Sequence, residues 1–563
     1  MKFMKLGTRL DTFYTEEAIR TVLSDVPSDL TIRINGTTYL LHQPQYALLP
    51  KCGLLQRLVS SAEDSRSFVV DLHDIPGGDE AFELCAKFCY GITIELSANN
   101  FVPAFCAARF LRMTESSDNG NFVKKLETFF SSCILEGWKD SVVALWNTEG
   151  AYEWCENLGV VRKCIESIVD KISTPLAKVT WSYTYTRPGH EARRRSSAPK
   201  DWWTEDISLL GPDTFERVIT TLTSSNTILP QLAGEALHVY ACRHLLGPEN
   251  ENPSTSHTDP TKMNKKKKIL EMTVNLIPAE KGSVSIKFLM RLLGLSRSNN
   301  GPKSRAAQEE LVRLSARQLD EAGPDDFLLA GPDTEMVVSV LRAYMRRWRK
   351  RAAAAGGGAE REALFGSVRG VGKTVDRYLQ CVAGDKELPV EKVVRVIESL
   401  PGPARPGHDE LYKAIDIYLK EHPDLSKTDK RRLCGMLDCR KLSPEARAHA
   451  VRNERLPLRT VVQILFSEHE KGTSNKKRAS REPTDKLRRK ASAAADDLSK
   501  LHLSSENNRA TRGENGTSEP GTSGGGAKSR IKEVGGPEIE LRGESSKAYH
   551  QGKRFNEKAH NKR

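Results

Sequence analysis

Residues 29–41, DLTIRINGTTYLL, set Leu30, Ile32 and Ile34 at alternate positions, the period of a half-buried strand. Asn35-Gly36 then supplies the positive backbone angles of a tight turn, so the stretch predicts a β-hairpin. A further strand is expected over SFVVDL, 67–72, followed by the turn signal Pro76-Gly77-Gly78. Beyond it Phe82, Cys85, Phe88 and Cys89 share one helical face, and ITIEL returns to strand. Ser97 opens a helix whose stripe of Phe101, Phe105, Ala108 and Leu111 faces a core. This predicts a small mixed sheet with short helices, an α+β module over 28–120 that follows an N-terminal segment, 1–27.

From 121 to 175 the apolar spacing becomes helical throughout. Phe122, Leu126, Phe129 and Phe130, then Val142, Val143, Leu145 and Trp146, predict an αα-hairpin extension. Residues 176–200 become polar and basic and are expected to form a linker. A mostly α-helical domain follows over 201–470, with low-complexity insertions near 248–268 and 352–359. Its punctuation is clear: Leu411, Ile415, Tyr418 and Leu419 form a stripe that Pro423 ends. Ser426 is placed to cap the next helix with Asp429, and Pro444 and Pro457 open two more. No fixed repeat period is found, which disfavours a regular solenoid.

Composition changes the picture in three places. Apolar residues make up 38% of the 563, and 28% are charged, a balance that fits folded parts joined to solvated ones. The net charge is +13, and most of that excess falls after His469. Residues 471–563 therefore read as a disordered basic tail, in which Lys476, Lys477, Arg478, Lys486, Arg488, Arg489 and Lys490 are candidates for binding anionic membrane. The tail is nearly free of aromatics for bases to stack on, so no specific nucleic acid is expected. The 11 cysteines fall mostly on helical apolar faces, as reduced core thiols do. Neither Cys85/Cys89 nor Cys434/Cys439 has a second pair at finger spacing, so no metal is expected. The chain shows neither a signal-peptide core nor a transmembrane-length apolar run, and an intracellular, cytoplasmic protein is expected, with the plasma-membrane periphery as a further station.

One stretch invites an enzymatic reading. GSVRGVGKT, 366–374, ends as a phosphate-binding loop does, but the position five before Gly372 is Ser367, and no apolar strand leads into it. The alternative is a helix that turns Val371, Val375, Tyr378, Leu379 and Val382 inward. No cofactor and no catalytic residue is assigned.

Several long blocks, in order, resemble the plant BTB/POZ family named after the non-phototropic-hypocotyl phototropism protein. They include MKFMKLGTRLDTFYTEEAIR, FELCAKFCYGITIELSANN, DWWTEDISLL and HDELYKAIDIYLKEHPDLS, and together they span about residues 1–470. The resemblance implies a BTB module that self-associates, as homo- or hetero-oligomer, and binds cullin-3. It implies a target-recruiting adaptor of a ubiquitin ligase, with target ubiquitination and proteasomal degradation in light or auxin signalling. The rival reading is a membrane-associated signalling scaffold that engages no ligase. His42 is open between a partner contact and a packed histidine.

Candidate phosphorylation sites are Tyr412, Ser197, Ser480 and Ser492. Arg405, Asp409 and Tyr412 fit the tyrosine consensus noted for the family; the competing reading packs Tyr412 with Leu411 and Ile415. Ser197, with Arg194 before it and Pro199 after, is a partial match to a 14-3-3 ligand. The best-known member carries its 14-3-3 site near its C-terminus, whereas this chain ends EKAHNKR, without serine. Phosphate on Ser480 or Ser492 would weaken the attraction of the tail to anionic lipid.

Overall fold

The computed structural model describes residues 2–42, 48–60, 68–187, 198–247, 260–297, 304–330 and 334–474. Among the described residues of the first hundred lie seven strands: β1 (Met4–Leu6), β2 (Phe13–Glu16), β3 (Ile19–Val22), β4 (Leu30–Ile34), β5 (Thr37–Leu41), β6 (Phe68–Asp71) and β7 (Ile94–Leu96). Five form one mixed sheet in the order β2-β3-β5-β4-β6, while β1 and β7 pair antiparallel. Within the larger sheet β3–β5 and β4–β6 are parallel and the other neighbours antiparallel. The β4–β5 hairpin turns through Asn35 at φ 47° and Gly36 at φ 91°, which the Asn-Gly pair tolerates at least cost. The N-terminal segment is thus built into both sheets. Its strands pair with partners far along the chain, β1 with β7 and β3 with β5.

Register decides which side of the sheet is buried. Leu30, Ile32, Ile34, Tyr39 and Leu41 point to one face and are at most 1% exposed. That face packs on the helix Gly78–Cys89, where the Phe82 ring meets Tyr39 edge-on at 4.9 Å. The next helix, Ala98–Phe110, is buried nearly all round, which places Phe101, Phe105 and Leu111 in the core and not on a contact surface. Its N-terminus is closed by Ser97, whose Oγ accepts the Asn99 N–H, and by Asn100, whose Oδ1 accepts the Ser97 N–H.

The helices Phe122–Phe129, Trp138–Asn147 and Val160–Ile172 extend this module. In the second of them Val142 and Leu145 are buried, but Trp146 is 50% exposed, a correction to its place in the expected core stripe. Apolar residues at five successive positions, 142–146, cannot all face inward on a helix of 3.6 residues per turn. From 201 onward every described element is helical. The extension and this array share a seam of aromatic rings: Trp138 and Trp202 meet at 4.5 Å, Trp181 and Trp202 at 5.6 Å, and the Trp138 indole N–H donates to Asp206 Oδ2 at 2.7 Å. Residues 181–187, expected in the linker, are thereby tied down, with Arg187 bridging Asp201 and Glu235.

The GKT stretch lies inside the helix Gly358–Val382, with Val371, Val375, Tyr378 and Leu379 buried and Val382 half-buried. Gly372 has a packing role: a Cβ there would stand 2.2 Å from the Ala404 carbonyl oxygen. Gly372→Ala is therefore expected to destabilise the fold by about 1–3 kcal/mol, read as a lowered urea midpoint, whereas exposed Gly370→Ala should stabilise slightly. An equal response at both positions would contradict this packing. Low-complexity residues 352–359 hold the break between the helices Thr334–Ala354 and Gly358–Val382, and Lys265–Lys268 lie on the helix Pro260–Leu276. Ser426 and Ser443 accept from the N–H groups of Asp429 and Ala446, and Pro444 occupies the first helical position. Pro457 instead lies one residue before the helix Leu458–Ser474.

Candidate functional site

The outer face of the five-stranded sheet is the first candidate. Alternation and register put Tyr14, Ile19, Thr21, Leu40, Thr31 and Val69 on this side. Tyr14, Ile19 and Val69 are 51%, 44% and 54% exposed, and Leu23, which continues the β3 row, is 67% exposed. Strand β2 is also an edge, with one row of backbone groups unpaired within the sheet. Exposed Tyr14, Ile19, Leu23 and Val69, set among threonines and the Arg33–Asp71 ion pair beside an open edge, suit association with another protein surface. A second exposed pair, Trp146 and Trp154, lies on the helical extension, where Trp154 meets Phe110 edge-on at 6.0 Å.

His42 is packed. Its backbone N–H donates to the Tyr90 hydroxyl at 2.9 Å, and Nε2 lies 2.8 Å from the Val26 carbonyl. Of the cysteines named as core thiols, Cys85, Cys89, Cys106, Cys155 and Cys164 are buried and Cys133 is half-buried. Burial pushes the Cys164 thiol up to about 12, which leaves it protonated and inert. Among the described residues no group of three or more His, Cys, Asp and Glu is arranged to hold a metal.

Tyr412 lies in the first turn of the helix Asp409–Glu421 and is 3% exposed. Its hydroxyl is 2.6 Å from His449 Nδ1 and accepts from Asn453 Nδ2 at 3.2 Å. Asn453 also donates to Asp416, which Arg455 engages. Burial raises the Tyr412 hydroxyl above its ordinary range. A kinase would have to draw the ring out of this network, and a phosphate left inside it would face Asp416. The rest of the consensus is equally engaged: Arg405 is buried against Asp376, and Asp409 Oδ1 accepts the Ser443 N–H at 2.8 Å. Ser197, Ser480, Ser492 and the tail cations Lys476, Lys477, Arg478, Lys486, Arg488, Arg489 and Lys490 lie outside the described residues.

His408, just before Tyr412's helix, makes the fold sensitive to acid. Its Nδ1 accepts the Asp438 N–H at 3.0 Å, which requires that nitrogen to be unprotonated. Burial, then the charges of Lys441 and Arg405, lower its pKa from the ordinary 6.5 to about 4, against weaker raising by Asp438 and Asp409. The native state thus resists a proton that the unfolded chain accepts below 6.5. Its contribution is complete above that pH and is lost as pH falls toward 4. Between pH 7 and 4 the wild type should lose about 3 kcal/mol more stability than His408→Gln in urea titrations. Parallel pH profiles would contradict this.

A cluster that the reading of the sequence passed over lies on the helix Pro230–His244. Glu235, His238 and Cys242 sit at i, i+3 and i+7, one face of a helix, so the spacing alone could have revealed it. The Cys242 sulfur is 3.5 Å from His238 Nε2, and His238 Nδ1 is 3.7 Å from Glu235. The contact with Cys242 and then Glu235 raises His238 to about 9, while His238 lowers the thiol. At pH 7, iodoacetamide should label half-buried Cys242 faster than exposed Cys381, and His238→Ala should abolish the difference. Faster labelling of Cys381 in the native protein would refute the pairing.

Comparison with known proteins agrees with this architecture. Residues 201–447 match the NPH3 family. A BTB/POZ domain-containing protein of Arabidopsis thaliana is 50% identical over 517 residues, covering 89% of this chain and 91% of the relative. A second BTB/POZ domain-containing protein of that plant is 41% identical over 513 residues, 83% of this chain and 80% of its own. The Arabidopsis phototropic-responsive NPH3 family protein NPY1 is 39% identical over 482 residues, 83% of this chain and 81% of that protein. No solved structure matches the chain. Among the described residues no helix is long and apolar enough to cross a membrane.

Proposed function

The chain belongs to the NPH3 family of BTB/POZ-domain proteins, and from that membership we propose that it is a non-catalytic, target-recruiting adaptor of a cullin-3 RING ubiquitin ligase in plant light or auxin signalling. The ubiquitin chemistry belongs to its partners. This chain contributes proximity, raising the effective concentration of a target beside the loaded conjugating enzyme.

The observation that supports this best is the buried seam of Trp138 and Trp202, which joins the N-terminal α+β module and its extension to the helical array. An adaptor whose two ends are rigidly linked holds its target at a fixed distance from the ligase. In this reading the outer sheet face and the β2 edge serve self-association, and the helical array holds the target. Ser197, once phosphorylated, is a 14-3-3 site, and the tail is a phosphate-regulated attachment to anionic membrane.

Sedimentation of the whole chain with the N-terminal region of cullin-3 tests the proposal. A stable complex supports it. The basic composition of residues 471–563 favours the rival scaffold reading, which would be preferred if the chain bound phosphatidylserine vesicles and formed no complex with cullin-3.

A further inference from the structure

The helices Arg305–Ser315 and Thr334–Ala354 enclose a groove of about 1020 Å³. Its floor is apolar: Met336 and Met345 are 8% and 2% exposed, and Val312 is half-buried. Its rim is cationic. Arg342, Arg346 and Arg349 recur at i, i+4 and i+7, so they stand in one row along the longer helix, and all three are exposed.

The pairing of charges here is uneven. Arg305 and Arg313 are each held by a carboxylate of their own helix, Glu309 and Glu310. Among the described residues Arg342, Arg346 and Arg349 have no ion-pair partner, and Glu398 is the further carboxylate lining the groove.

We propose that this groove is the target-docking site of the helical array and that it takes an acidic peptide segment, whose carboxylates meet Arg342, Arg346 and Arg349 while an apolar side chain enters the floor over Met336 and Met345. The proposal rests on the adaptor reading and names the chemistry of the recruited partner. Guanidinium forks match carboxylates in paired hydrogen bonds, and a row of them selects several acidic groups over one. A membrane fits less well, because the apolar atoms lie at the bottom of the groove and do not project for insertion. A nucleic acid fits less well, because among the described residues no aromatic side chain lines the groove for bases to stack on. The chain's own segment after 474 carries a net positive charge and fits less well than a separate acidic partner.

The test uses the whole chain and a fluorescein-labelled twelve-residue peptide of alternating glutamate and leucine, followed by anisotropy. The triple variant Arg342→Gln, Arg346→Gln, Arg349→Gln should bind it about tenfold more weakly or worse, with an unchanged circular dichroism spectrum and melting temperature. The control Lys262→Gln, Lys265→Gln, Lys267→Gln removes the same charge from the helix Pro260–Leu276 and should bind within about twofold of wild type. Undiminished binding by the folded arginine variant, or equal loss in the lysine control, would overturn the proposal. So would a preference for phosphatidylserine vesicles or single-stranded RNA that depends on the three arginines. The arginine variant should still bind cullin-3, so failure of the groove and failure of the adaptor reading give different results.

Discussion

Asp376→Ala is expected to cost the protein about 3–5 kcal/mol, among the largest losses any single substitution here can produce. The Asp376 and Arg405 side chains are 4% and 5% exposed, and Arg405 Nε donates to both carboxylate oxygens, at 2.8 and 3.1 Å. Nη1 also donates to the Ile397 carbonyl at 2.9 Å. Burial raises the Asp376 carboxyl above its ordinary range, and the guanidinium works against that shift. Removing the carboxylate strands a buried cation, which costs far more than the net worth of the pair. Arg405→Met on the Asp376→Ala background should therefore recover part of the loss, because no buried charge remains. Urea unfolding of both single variants and the double variant measures this. A double variant as damaged as the sum of the singles would show that the two residues do not act as a pair.

Trp202→Ala should be comparably damaging, about 3–5 kcal/mol, and should also change how the molecule melts. Trp202 is fully buried and touches Trp138, Trp181 and Tyr183, so it sits where the N-terminal module, the segment 181–187 and the helical array meet. With the ring in place the parts are expected to unfold together. Without it, calorimetry should resolve two transitions where the wild type gives one. A variant that melts at lower temperature but still in one transition would mean the parts are coupled elsewhere.

What could be read from the sequence was whatever neighbours along the chain decide. Asn35-Gly36 specifies its hairpin because only two residues need the rare backbone angles, and Ser426 and Ser443 cap because their partners lie three positions on. The inward stripe of Val371, Val375, Tyr378 and Leu379 follows from helical period alone, and it settled the false phosphate loop. The unread parts depend on partners distant in sequence. Strand β1 exists through β7, and Tyr412 is enclosed by His449 and Asn453, which another helix and its end supply. The polar look of 182–187 concealed a segment fastened by Arg187 and Tyr183 to residues that follow it. The spacing of Arg342, Arg346 and Arg349 puts them on one helical face, but the groove they border requires a second helix to be placed against the first.

In the proposed adaptor role this chain brings other macromolecules together and contributes no reacting group. Reconstituted ubiquitin transfer tests it most directly: activating enzyme, conjugating enzyme, ubiquitin and ATP are combined with the whole chain, with and without the cullin-3–RING assembly. The expected result is ubiquitin on the adaptor or its bound partner only when the cullin assembly is present. Transfer without the cullin, or full cullin assembly activity with no chain bound to it, would rule out the adaptor role.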